Sequence, residues 1–63
     1  MKPQYATSIT FFVNNTDRNF SVGETMSSWK IIAIEITENI VLLVCDKGTV
    51  MYNGIPFIAM LKK

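Results

Sequence analysis

The run from Trp29 to Tyr52 leaves this chain one kind of fold. Ile31, Ile32, Ile34, Ile36, Ile40 and Val41 are all β-branched. Such side chains lose rotamer freedom in a helix and pack well on a pleated surface. Turn signals at Thr37-Glu38-Asn39 and Asp46-Lys47-Gly48 cut the run into pieces too short for ordinary helices. The run therefore reads as strand, turn, strand, turn, strand. Its first strand, Trp29–Ile36, carries Ile32, Ile34 and Ile36 on the even face and Trp29, Ile31 and Ala33 on the odd face. Its second, Ile40–Cys45, is apolar on both faces. A strand apolar on both faces is covered on both. In so short a chain the second cover is either the far side of a small sandwich or barrel, or another molecule.

The flanks extend the pattern. Tyr5–Val13 is rich in β-formers, with Tyr5, Ile9, Phe11 and Val13 interleaved with polar positions. Asn14-Asn15-Thr16-Asp17 is a turn cluster, and Arg18–Val22 follows as a strand that pairs back on the first. Gly23–Ser28 reads as a connection with a tight bend and room for a single helical turn. Beyond Asp46-Lys47-Gly48, where the glycine is available for positive φ, Thr49–Tyr52 is a short strand. Asn53-Gly54 suits a type I′ hairpin turn, and Ile55–Leu61 is the last strand. Pro56 cannot donate to a ladder and belongs at an edge or at the strand's start. The expected fold is all-β: a small six-stranded barrel or two-layer sandwich built from antiparallel hairpins, spanning 1–63 as a single domain.

At 63 residues, a chain buries only about 60% of the surface it exposes when unfolded, so a solitary core is marginal. Small domains of this size usually lean on disulfides, a metal or a partner. Cys45 is the only cysteine and there is no histidine, which removes an internal disulfide and the usual metal ligands. Yet 49% of the residues are hydrophobic. Surplus apolar surface without a staple points to self-association, as a homodimer or larger, or to a protein partner. Net charge is +1, and Lys2, Arg18, Lys30 and Lys47 are scattered, with only Lys62-Lys63 adjacent. A duplex-DNA binder draws its affinity from a basic stripe, so nucleic acid is not the expected partner. The longest apolar run, Ile40 to Cys45, falls far short of the roughly 20 residues of a spanning helix. The expectation is a soluble chain, with no membrane segment of its own.

No constellation for chemistry stands out, and no catalytic, metal or cofactor residue is assigned. Asp17, Glu38 and Asp46 lie in turns, where solvated acids are ordinary. Glu35 is a charge within an apolar strand, read as pointing to solvent or discouraging edge pairing. Cys45 follows an apolar run with no histidine to activate it, and reads as a buried inert thiol. The aromatic residues keep company with Ile, Val and Met, as core residues do. Phe11-Phe12 is the exception: adjacent strand residues point to opposite faces, so one of the two needs a second cover. Ile9, Phe11, Phe12 and Val13 are accordingly the candidate partner-binding residues. The alternative function is single-stranded nucleic-acid binding on an open β-face. It requires exposed Tyr5, Phe11 or Trp29 beside Arg18, Lys30 or Lys47.

Three segments together also resemble a known pattern: Phe20-Ser21-Val22-Gly23-Glu24-Thr25-Met26, then Trp29-Lys30-Ile31-Ile32-Ala33-Ile34-Glu35, then Ile40–Val44 with Gly48 beyond. The likeness is to the small periplasmic β-domain of the inner-membrane clamp proteins of type II secretion systems and their type IV pilus relatives, and it covers about residues 7 to 61. The resemblance implies a six-stranded, two-layer β-domain that binds the outer-membrane secretin through exposed strand edges. Family members are longer and carry a membrane anchor upstream. An excised domain of that kind would be periplasmic and a complete chain cytoplasmic. A free-standing chain of this type also suits a phage or mobile-element product that binds and blocks a host protein. In each setting the function is non-enzymatic protein binding.

Overall fold

The computed structural model describes residues 2–62. Seven strands run in chain order: β1 (Gln4–Val13), β2 (Thr16–Ser21), β3 (Thr25–Met26), β4 (Trp29–Thr37), β5 (Ile40–Cys45), β6 (Thr49–Asn53) and β7 (Phe57–Leu61). All pairings are antiparallel, within one curled sheet ordered β2-β1-β4-β5-β6, with β3 on β4 and β7 on β1. The all-β expectation therefore holds, as a curled half-barrel.

Several details differ from the sequence reading. The connection Gly23–Ser28 contains a strand, the two-residue β3, which makes seven strands rather than six. It forms a hairpin with β4 in which Met26 pairs with Trp29. The intervening Ser27 and Ser28 have φ of 50° and 71°, both left-handed, as a type I′ turn demands. Asn14 and Asn15 do the same between β1 and β2, with φ of 47° and 62°. Gly48 does not serve through positive φ. A Cβ there would sit 3.0 Å from Cζ3 of Trp29, so the missing side chain is what lets the indole lie against the turn. Gly54 does take positive φ, 77°, but Asn53-Gly54 is not a hairpin turn. β6 pairs with β5 and β7 with β1, so this corner carries the chain across the open side of the curl. Pro56 lies just before β7, where its missing N–H is harmless.

Two bulges decide which residues face inward. On β4 the register shifts between Ile31 and Ala33, so Ile31 and then Ile34 and Ile36 are buried while Ile32 is thrown outward. The even-face, odd-face division expected for this strand fails because a bulge adds one residue and reverses the parity. On β1 the register with β7 shifts between Ala6 and Ser8. Ala6, Ile9 and Phe11 are buried, and Tyr5, expected alongside Ile9 and Phe11, is half exposed.

The core consists of Ala6, Ile9, Phe11, Ile31, Ile34, Ile36, Val41, Leu43 and Cys45. At its centre the Phe11 ring lies 4.4 Å from Tyr52, 6.0 Å from Phe20 and 6.2 Å from Phe57, centroid to centroid. Removing such a ring costs about 3–5 kcal/mol, on the scale of the whole stability of a domain this small. Phe11→Ala is expected to leave the chain largely unfolded at 25 °C, seen as loss of the far-ultraviolet β signal. Ser28→Gly should do the opposite. It relieves a left-handed serine at an exposed turn, and the gain is about 0.5–1 kcal/mol. A thermal melt should register it as a rise of a few degrees, on a scale of roughly 4–8 °C per kcal/mol.

Candidate interaction surface

The curl buries one face of the sheet and leaves the other to solvent. Register fixes what lies on that outer face. Tyr5 pairs with Glu35, Glu35 with Leu42, and Leu42 with Met51, giving one row across β1, β4, β5 and β6. Ala33, Val44 and Thr49 form the row on one side, and Thr37, Ile40 and Asn53 the row on the other. Glu35 is the only charged side chain in these rows, and it is half-buried. β4 lies between β1 and β5, so Glu35 does not guard an edge. It is a charge set in the middle of an apolar face.

A second apolar patch covers the outside of β1 and β7. Ile58 is opposite Thr10 and Met60 opposite Ser8, with Ile58 65% and Met60 66% exposed. Phe12, 40% exposed, is diagonal to Ile58 and held there by its N–H, which donates to the Pro56 carbonyl at 3.0 Å. Between the two bulges runs a groove of about 210 Å³, floored by Ala6 and Ile34 and walled by Tyr5, Val22, Ile32 and Lys62.

Of the residues expected to meet a partner, Ile9 and Phe11 are in the core and Val13 is half-buried against it. Phe12 alone presents a large exposed side chain. Phe11 and Phe12 point to opposite faces: Phe11 lies within the aromatic cluster, and Phe12 is exposed. Ile32, Ile58 and Met60 are among the exposed apolar residues that sequence reasoning passed over. Ile58 and Met60 had a signal, the alternation along β7, but nothing local says which set of an all-apolar strand turns outward.

The groups considered for nucleic acid do not gather. Phe11 is buried and Trp29 is half-buried against Gly48, leaving Tyr5 exposed. Its neighbour is Lys62, whose N–H donates to the Tyr5 carbonyl at 2.8 Å, rather than Arg18, Lys30 or Lys47. Lys30 is occupied at its main chain: its N–H donates to Oδ1 of Asp46 at 3.0 Å, and its carbonyl accepts from the Asp46 N–H at 3.0 Å. Cys45 is buried, with its thiol toward the Leu43 carbonyl at 3.6 Å. Among the described residues no three His, Cys, Asp or Glu side chains come together as a metal site would need. No helix is long and apolar enough to cross a membrane.

If Glu35 keeps the apolar rows in water, Glu35→Ile should leave the melting behaviour within about 1 kcal/mol of the parent. It should also lower the concentration at which light scattering rises. Unchanged scattering would show that the charge has no such role.

No family model, curated protein or solved structure matches this chain.

Proposed function

We propose that this protein is a non-enzymatic protein-interaction module that associates with itself. The observation that carries this reading is the outer surface of the curl: Tyr5, Phe12, Ile32, Met51, Ile58 and Met60 remain exposed while the inner face is already filled. The accessible surface is 4522 Å², against roughly 4,100 Å² for a monomer of this mass. Exposed apolar area beyond what a small monomer normally shows marks an interaction surface.

The resemblance to secretion clamp domains supports an activity of the same kind, because there too a small β-domain meets a protein partner. Its implied secretin partner, and a host protein in the phage-type setting, both fall within the reading.

Sedimentation equilibrium across a hundredfold concentration range tests the reading. The weight-average mass should rise above that of one chain toward a dimer or larger, and it should persist at high salt because apolar burial is not screened. A mass that stays at one chain throughout would remove self-association.

A further inference from the structure

We infer that the self-association proposed above runs through the free edge of β7, which pairs antiparallel with β7 of a second copy in a register centred on Ala59. The inference rests on that reading and names its contact.

The free edge can be read from the ladder. The Phe12 N–H donates to the Pro56 carbonyl, and Thr10 lies opposite Ile58 and Ser8 opposite Met60. Antiparallel ladders alternate between hydrogen-bonded and non-bonded pairs. The main-chain groups of Ile58 and Met60 therefore turn toward β1, and the Met60 carbonyl also accepts from Oγ1 of Thr7 at 3.2 Å. Those of Phe57, Ala59 and Leu61 turn the other way. Among the described residues no other strand pairs with β7.

The edges of the sheet are not equally protected. β2 carries Asp17 and Arg18, whereas neither β6 nor β7 holds a charge or a proline; of the two, β7 reads Phe-Ile-Ala-Met-Leu, apolar throughout, while β6 begins and ends on the polar Thr49 and Asn53. Charges and prolines are the devices by which natural edges avoid pairing. Their absence here coincides with the exposed Ile58, Met60, Leu61 and Phe12.

A second copy satisfies this edge. Centred on Ala59, a two-fold axis sets Ala59 against its own copy and Phe57 against Leu61 of the other. Every outward N–H and C=O of β7 then meets a partner. The outer patches fuse as well, because Ile58 falls opposite Met60 of the second copy, a non-hydrogen-bonded pair in close side-chain contact. Lys62 falls beyond the paired strand, so no like charges meet across the axis. Centring on Ile58 would bring Pro56 against Met60, and centring on Met60 would set Phe57 opposite a residue beyond β7. A slip of one residue would turn each apolar set to the wrong face. A strand this short buries less than a standard interface, so the expected Kd is in the micromolar range, about 1–100 μM.

Two experiments decide the contact. Ala59→Pro removes an N–H that faces solvent in the single chain, which edge strands tolerate. It should keep the circular-dichroism spectrum while weakening the dimer at least tenfold in sedimentation. Independently, Ile58→Cys and Met60→Cys chains, mixed and oxidised, should form a disulfide-linked dimer. The opposed Cα atoms of such a pair lie about 4.5 Å apart, within the disulfide range of about 4.4–6.8 Å. Neither variant alone should link efficiently. Linking by Met60→Cys alone or Ile58→Cys alone would report the other registers and overturn this one. A parent chain that dimerises with no mixed crosslink, or whose folded Ala59→Pro variant dimerises equally well, would overturn the β7 contact while leaving self-association intact. A strictly monomeric parent overturns both.

Discussion

Phe11 is the contact on which the curl depends. Hydrogen bonds tie β1 to β2, β4 and β7, but none ties it directly to β6. Only side chains hold β6 across the concave face, and the Phe11 ring at 4.4 Å from Tyr52 is the closest aromatic link between them. Phe20 lies 6.5 Å from the same tyrosine, so two rings brace β6. An aromatic pair contributes about 0.5–1.5 kcal/mol beyond its area, which is substantial where only a handful of residues are fully buried. Since the ladder does not close, the shape is set by packing.

The bulges explain how so short a sheet can curl around one ring. β1 pairs with β4 at Gln4–Ala6 and with β2 from Ser8 onward. Ala6 and Ser8 each also pair with β7, so β4 and β2 share one edge of β1 in succession. The changeover falls at the β1 bulge, with the β4 bulge at Ile32 nearby, and bulges sharpen twist and bend a strand. The groove walled by Tyr5, Val22 and Ile32 is where the two strands part. Burial inside and apolar exposure outside thus have one cause: the same parity reversals that carry Ile9, Phe11 and Ile31 inward turn Tyr5 and Ile32 outward.

Fold class was legible because it depends on local chemistry repeated many times. β-Branched runs and close turn signals leave no helix to consider, and β5 has the bounds expected of it, Ile40–Cys45. Facing was legible only where alternation ran unbroken. In β4, six apolar residues offer several consistent phases, and the bulge selects one through tertiary packing that no window of sequence contains. The turns show the same divide. Asn14-Asn15 announces a left-handed turn, whereas Ser27-Ser28 adopts one that serine does not favour, imposed by the pairing of Met26 with Trp29. The exposed apolar surface was the least legible. Phe12 was marked by its neighbour, but exposure of Ile58 and Met60 depends on β7 crossing to β1 rather than returning beside β6.

That crossing shapes what the molecule offers to others. Had Asn53-Gly54 closed a hairpin, β7 would have shielded β6 and left that side of β1 open. Crossing instead lets Phe57 complete the ring cluster around Phe11, at 6.2 Å, and leaves both β6 and β7 with an open side. One topological choice gives the core an aromatic contact and places the free edges on β6 and β7 rather than on β1. In a chain whose interior is near the lower limit of self-sufficiency, a second copy that pairs such an edge adds to stability by mass action. The same strand serves both sides of the sheet: its Phe57 face supports the core, and its Ile58 and Met60 face stays exposed.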